Sequence, residues 1–362
     1  MKVFFDGKIL SLQSRGGISR LVFELIKSFN RFNDLEKVLY RGLYIDQYSF
    51  DKEWFAKYYG LKRPSFLNNH LINLLDNMSM EAAYGFNASS DLIFHSFYYR
   101  IPKKPRGPVV VHIYDMIQEL FNSNQKTINF KKKSFDAANL IISISESAKK
   151  DLCEIYPINP EKVIVAHSGV NETFFKERPL SERVGRPYML YVGSRNYSYK
   201  NFDILLDTFI NKKYFFDFNL VLVGGEKSLN SQQKEKIKNT AGQGAWLLQE
   251  FCDDERLIGL YSNASVFICP SLYEGFGLPL LEAMACGCPV VASNASSIPE
   301  VVGDAALLFY PKNSDDLSAK IETIINNKAL ASDLIKRGKI RTKQFTWDAA
   351  ADIIYQGYLK LL

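Results

Sequence analysis

Glu274 and Glu282 stand eight residues apart in SLYEGFGLPLLEAMACG, residues 271–287. Gly275 and Gly277 mark a strand-to-helix turn, Pro279 fits the first helical position, and Gly287 fits just past the end. The run from Leu280 to Ala285 is apolar almost all round, so its helix is a buried one. Glu282 then falls in the first turn, near the positive helix end, where a carboxylate is favoured. Helix-end electrostatics would account for it. A buried carboxylate also needs donors, and the hydroxyls of a sugar or ribose would serve. Glu274 sits on the loop before the helix, where main-chain N–H groups can face a ligand. Two acids and such amides at one strand end suit a polyhydroxyl compound carrying phosphate.

A second polar group lies in YVGSRNYSYKNFDILL, residues 191–206, where Gly193, Arg195 and Lys200 accompany the change from strand to helix. An arginine fork and a lysine point charge aimed at one place suit a diphosphate that gains negative charge. The alternative is two exposed loop cations. Near the start, SLQSRGGISR places Gly16 and Gly17 before a helix. There the backbone can approach an anion with the helix dipole behind it, or simply turn. The spacing is neither G-x-G-x-x-G nor a P-loop.

The elements that must position these groups are short apolar runs. They occur at 2–6, 38–44, 91–97, 108–115, 139–145 and 162–169, and again at 188–194, 219–225, 246–251, 265–271, 289–294 and 306–310. Runs apolar throughout, instead of alternating, suit parallel strands buried on both faces. Helical spacing between them, as at 18–30 and 201–210, predicts an α/β chain of two doubly wound domains. The expected division is 1–175, 176–345 and a C-terminal helix, 346–362, packing back toward the first domain. The polar, proline-bearing stretch 171–187 is the expected join. Ligands of open parallel sheets bind beyond the carboxyl ends of the strands, so a cleft between two such sheets is the expected site.

Composition bounds the function. The 362 residues are 47% hydrophobic and 14% aromatic, which suits a well-packed globular chain. The net charge of +6 is too small and too spread to demand nucleic acid, but it fits anionic small ligands or an anionic membrane surface. Two basic runs, RIPKKPR at 100–106 and FKKKSF at 130–135, read either as solvated surface or as a peripheral membrane contact. The five scattered cysteines make no disulfide framework and no zinc spacing, which suits a reducing compartment. The N-terminus carries no secretory h-region, and no window is apolar enough for a membrane span, so a cytoplasmic protein is expected.

The residues E-G-F-G-L-P-L-L-E resemble the E-x7-E signature of retaining glycosyltransferases of the GT-B fold, in the large GT4 family. The resemblance extends to GGISR, VGSRNYSYKN, LYSNASVFICPSLYEGFGLP and CGCPVVASNASSIPEVVGDAALLF, and is weakest over residues 40–90. It implies two Rossmann-like domains facing each other across a cleft, with a nucleotide-sugar donor held mainly by the second. Glu282 would accept from the ribose hydroxyls, and Glu274 would hold the transferred sugar. Arg195 and Lys200 would bind the diphosphate. Gly16, Gly17, Gly193, Gly275, Phe276, Gly277 and Leu278 would complete the cradle for phosphate and sugar. No D-x-D motif stands in a matching position, so no cofactor and no metal is expected.

One departure is plain. Where many relatives carry His-Asp at a first-domain strand end, this chain has Tyr114-Asp115, with His112 two residues earlier. Tyr114 would then face the sugar with Asp115 beside it, and a tyrosine is a poor base near neutral pH. The variants of GGISR and Y-D-M look most like bacterial members that build surface polysaccharides. The expected reaction is therefore retaining transfer of a hexose, from a GDP-mannose-type or UDP donor, to a lipid-linked glycan such as O-antigen or capsule. A non-catalytic nucleotide-sugar-binding protein, or an enzyme like a glycogen synthase or phosphorylase, is the alternative.

Overall fold

The apolar runs build two sheets in which every neighbouring pair of strands is parallel. The computed structural model describes residues 1–362 apart from Arg15, 64–68, Ser123, Glu177 and 179–183, and the side chains of Asn69, His70, Asn122 and Gln243. The expected join at 171–187 thus falls partly outside the described residues.

The first sheet holds β1 (Lys2–Asp6), β2 (Glu36–Tyr44), β3 (Lys57–Lys62), β4 (Leu92–Ser96), β5 (Val109–Ile113), β6 (Leu140–Ser143) and β7 (Val163–Val165), in the order β3-β2-β1-β4-β5-β6-β7. Its helices are α1 (Gly17–Ser28), α2 (Asn69–Asn87), α3 (Gln125–Ala137) and α4 (Glu146–Ile155). The second sheet holds β8 (Tyr188–Val192), β9 (Asn219–Val223), β10 (Leu247–Glu250), β11 (Val266–Cys269), β12 (Val290–Ser293) and β13 (Leu307–Phe309), in the order β10-β9-β8-β11-β12-β13. With it go α5 (Phe202–Asn211), α6 (Ser231–Lys238), α7 (Asp254–Asn263), α8 (Leu278–Ala285), α9 (Ile298–Val302), α10 (Ser314–Asn326) and α11 (Lys328–Thr342). The last helix is α12 (Trp347–Leu359). Among the described residues no helix is long and apolar enough to cross a membrane.

The chain divides into two units, 1–169 with 347–362, and 170–346. In each sheet the strand order reverses next to the first strand, between β1 and β4 and between β8 and β11. That is where an open parallel sheet leaves a crevice at its carboxyl edge. Strands β4, β5 and β6 are buried at every residue, which is why they read as continuous apolar runs. β3 was not legible in that way. Its sequence KYYGLK is largely exposed at the sheet edge, where lysines and a glycine discourage further pairing. Helix α5 buries Phe202, Leu205, Leu206 and Phe209, spaced by three and four, against Leu220 and Leu222 of β9. That packing fixes where its N-terminus lies.

Helix α12 belongs to the first unit. Its Asp352 accepts from Arg31 at 2.8 Å, and Tyr355 stacks on Phe32 at 4.1 Å between ring centroids. Gly357 lies close against the sheet: a Cβ there would lie 2.8 Å from Leu140 Cδ2 and 2.9 Å from Ile164 Cδ1, so those side-chain ends would have to shift. At the next residue, the buried Tyr358 hydroxyl meets His95 Nδ1, and His95 Nε2 lies 2.8 Å from His112 Nδ1. One shared proton between the rings means that both cannot be charged at once, and full burial keeps both neutral. Burial, with His112 beside it, holds His95 well below its ordinary value, and burial brings His112 down to about 3.

The unfolded chain therefore binds protons that the folded chain refuses once the pH drops below the ordinary histidine value of about 6.5. This stability is complete above that pH and is lost as the pH falls toward the folded value. Urea unfolding between pH 7.5 and 4.5 is expected to show a loss of up to about 1.4 kcal/mol per pH unit from each histidine. His112→Gln should flatten the slope; an unchanged slope would contradict the assignment.

Candidate functional site

The loops that follow β8 and β11, the two strands flanking the reversal in the second sheet, meet over the carboxyl edge. Lys200 ends a short 3-10 turn after β8, and Glu274 lies on the loop after β11. Their side chains form an ion pair, with Lys200 Nζ 2.8 and 2.9 Å from the two carboxylate oxygens of Glu274. The Ser271 hydroxyl donates to the same carboxylate at 2.6 Å. Burial would lower the Lys200 pKa, but the Glu274 carboxylate outweighs it and holds the ammonium above its ordinary value. The pair is mostly shielded yet still reachable, with side chains 22% and 14% exposed.

Two devices hold these loops. Asn201, in the left-handed region at φ 53°, is the N-cap of α5 but does not cap it with its side chain. Its amide donates instead to the carbonyls of Pro270 at 3.0 Å and Pro311 at 2.7 Å, tying three strand-end loops together. Ser296 and Ser297 donate to the Glu274 carbonyl at 2.7 and 2.8 Å, and Ser297 also reaches the Phe276 carbonyl at 3.0 Å. The turn that carries Glu274 is thus held through its backbone, leaving the carboxylate to Lys200 and Ser271. Phe276 buries its ring against Phe345 at 5.7 Å, with Gly275 half-buried beside it.

Helix α8 begins one residue earlier than the sequence suggests. Gly277, at φ 99°, is its N-cap, Leu278 its first residue and Pro279 its second. Glu282 therefore stands in the second turn, not the first. The dipole effect fades within one turn, so helix-end electrostatics does not account for this acid. It is buried, and the equally buried Tyr261 hydroxyl lies 3.4 Å from Oε2. Burial, and then the Glu282 charge, push the Tyr261 pKa well up, so the phenol stays a donor. Gly287 follows the helix at φ 75°, as expected.

Arg195 faces elsewhere than expected. Its guanidinium turns to the loop after β9, donating to the carbonyls of Gly224 at 2.6 Å and of Glu226. Glu226 answers by accepting from the Arg195 amide at 2.8 Å and from the Ser194 hydroxyl. Burial alone would raise the Glu226 pKa, but these two donors hold it below its ordinary value. The two loops touch so closely that a Cβ on Gly225 would lie 2.5 Å from the Gly193 carbonyl oxygen. Arg195 here braces the strand-end loops.

The helices leaving the candidate loops share a further trait. α1, α5 and α8 start at Gly16, Asn201 and Gly277 with no side-chain cap. By contrast α3, α4, α6, α7, α10 and α11 are each capped by an Asn, Ser or Asp side chain. A helix start without its own acceptor is suited to an anion, which takes the first-turn N–H groups and the positive dipole end.

Residues 172–341 match the family described as glycosyl transferases group 1. This segment, just under half of the chain, is similar to that family. The matched segment contains the Lys200–Glu274 pair, Arg195, Glu226 and Glu282. Among the proteins similar to this chain, the O-antigen chain mannosyltransferase B of Escherichia coli is 29% identical over 226 residues, 60% of this chain and 59% of that one. The chain thus spans under two thirds of that relative. The solved structures most similar in fold include a sucrose-phosphate synthase from Thermosynechococcus elongatus, at TM-score 0.77 and 19% identity over 99% of this chain and 98% of that one. The Anabaena Alr3699/HepE protein, in complex with UDP and glucose, matches at TM-score 0.74 and 18% identity over 100% of both chains. The fold is GT-B: two Rossmann-like units built on parallel sheets.

In the first unit, Gly16 is extended and Gly17 opens α1. Tyr114 departs from expectation. It is buried, and its hydroxyl donates to the Phe97 carbonyl at 2.7 Å instead of projecting from the strand end. Burial, and then the nearby Tyr98, push its pKa well up, and its ring lies parallel to His112 at 5.8 Å. Asp115 accepts from the Ile117 amide at 3.0 Å, and its carbonyl accepts from Lys131 at 2.8 Å.

The basic runs also change character. Arg100 and Lys131 are buried, Lys131 paired with Glu119 at 2.8 Å. They drop out of any surface patch. Ser271, Glu226, Ser296, Ser297 and Asn201 were not singled out by sequence reasoning. Apart from Ser271, three residues from Glu274, their partners lie far along the chain, so only the Asn and Ser residues preceding helix starts offered a signal, and that signal reads as a cap.

Proposed function

We propose that this chain is a retaining, metal-independent hexosyltransferase, moving a sugar from a nucleotide-diphosphate donor to a hydroxyl of a lipid-linked bacterial glycan. The observation that carries the reading is the Lys200–Glu274 pair at the strand reversal, set among helix starts without side-chain caps. Lys200 would neutralise the diphosphate as its bond to the anomeric carbon breaks. Glu274 would hold the sugar hydroxyls, and Glu282, with Tyr261 on one oxygen, the ribose. The acceptor oxygen bonds to the anomeric carbon on the face the phosphate leaves, and the acceptor proton passes to the departing phosphate oxygen. No protein base is needed for that transfer, which agrees with a Tyr114 hydroxyl committed to a carbonyl. The named mannosyltransferase relative favours a GDP-mannose-type donor, and the UDP complex of the Anabaena protein favours a UDP-sugar. The cytoplasmic face of a membrane, where such glycans are built, is the proposed location.

A thermal-shift screen against GDP, UDP, dTDP and their sugars separates the donors. A ligand at about 100 times its Kd stabilises by about 2.7 kcal/mol, a Tm rise of about 5–10 °C for a unit of this size. One base is expected to shift the Tm strongly and the others little. A screen in which no nucleotide shifts the Tm would overturn the reading. Tight binding without hydrolysis or transfer would instead favour a binding protein, the reading that the inward Tyr114 hydroxyl also allows.

A further inference from the structure

Helix α2 has two apolar faces, and only one is used by the fold. Ile72, Met80, Ala83 and Tyr84 are buried, together with Asp76 and Asn87. On the other side Leu74, Leu75, Met78 and Phe86 are 52%, 41%, 63% and 82% exposed. At about 100° per residue these four and Ala82 fall within about 120° of arc, a continuous stripe. Nothing acidic interrupts it. The acids of α2 are Asp76, buried in ion pairs with Lys8 and Arg100, and Glu81, which accepts the Lys103 amide at 2.9 Å.

That last contact brings a basic loop alongside the helix. The Arg106 amide also donates to Tyr84 of α2, at 3.0 Å, and Lys103, Lys104 and Arg106 are exposed. These are the members of the run 100–106 that remain at the surface once Arg100 is buried.

We propose that the outward face of α2, with Lys103, Lys104 and Arg106, docks on the surface of an anionic lipid bilayer. The stripe enters the boundary between headgroups and acyl chains, and the cations meet the anionic headgroups. Charge selects this occupant over a second copy of the chain. A self-complementary contact over α2 would bring two sets of these cations together, whereas an anionic surface neutralises them. The inference stands on α2 and its neighbouring loop and does not rest on the transfer reading.

The test is co-sedimentation of the full-length protein with vesicles of phosphatidylcholine alone or mixed with phosphatidylglycerol. Binding is expected only with the anionic lipid, and to weaken at high salt. Lys103→Gln/Lys104→Gln should weaken it by about 30-fold, at about fivefold for each lysine lost from the surface. Leu74→Glu/Met78→Glu should abolish it. In a Phe86→Trp variant the indole emission should shift to the blue on adding anionic vesicles, a readout that needs no destabilising charge. Circular dichroism and nucleotide thermal shifts, expected unchanged, show that the variants fold. Absence of binding to anionic vesicles, or equal binding by the charge variants, overturns the proposal. So does a dimer in sedimentation velocity that Leu74→Glu/Met78→Glu dissociates, which would assign the face to a second copy.

Discussion

Lys200→Ala is expected to lower kcat for sugar transfer by about 10²–10³-fold, the usual cost of removing one group that stabilises developing charge. The ammonium is fixed on Glu274 through both carboxylate oxygens before any ligand arrives, so its position needs no reorganisation. Glu274→Gln removes the charge that orients it while keeping the size of the side chain, and should cost a similar factor. The two changes act on one unit. The double variant should therefore fall far short of the product of the single losses. Transfer measured on the donor found by thermal shift, with single-turnover rates to separate binding from chemistry, decides it. If both single variants keep near-wild-type rates, the assignment fails. Because Glu274 keeps the Lys200 ammonium above its ordinary value, no alkaline limb from Lys200 is expected below about pH 9. EDTA is expected to leave the rate unchanged; abolition by EDTA with recovery on adding Mg²⁺ would refute metal independence.

The largest effect on stability is expected at Arg100. Its guanidinium donates to Asp6, with Nε at 2.9 Å, and to Asp76 at 2.7 Å. Lys8 reaches Asp76 at 2.8 Å, and the Tyr40 hydroxyl lies 3.0 Å from the same carboxylate. Asp6 and Asp76 are fully buried at the end of β1 and on the inner face of α2. Arg100→Ala would leave two buried carboxylates with a single lysine. Breaking such a network from one side costs about 3–5 kcal/mol, a fall in Tm of about 10 °C or more for a unit of this size. Arg100→Lys should recover only part, because a point charge cannot bridge both acids as a planar fork does.

The pH dependence of that loss has a definite sign. Burial raises the Asp6 pKa even in the native protein, against the pull of Arg100. Burial would raise Asp76 too, but Arg100 and Lys8 hold it below its ordinary value. Without Arg100 both move up, so the folded variant binds protons more tightly than its unfolded chain. Lowering the pH from 7 to 5 should then shrink the gap between variant and wild type. Urea unfolding at both pH values checks this. A loss under about 1 kcal/mol at pH 7 would show that the network is solvated instead of buried.

Much of the fold was legible in the sequence because burial on both faces leaves an unbroken apolar run. Twelve such runs became twelve strands, whereas the exposed edge strand KYYGLK, with a lysine at each end and a glycine inside, did not register. The turn and helix of SLYEGFGLPLLEAMACG were legible for the same local reasons: glycines at positive φ, an early proline, and a glycine past the end. The local pattern also marked Lys200 and Glu274 as residues that chemistry would use. Only the tertiary structure paired them, across 74 residues, because the strand order reverses between β8 and β11 and brings their loops together. The same holds for the basic residues. Arg100 and Lys103 are neighbours in one cationic run, yet one lies in a buried network and the other at the surface. A cation's place depends on which distant carboxylates the fold delivers to it, and no local spacing encodes that.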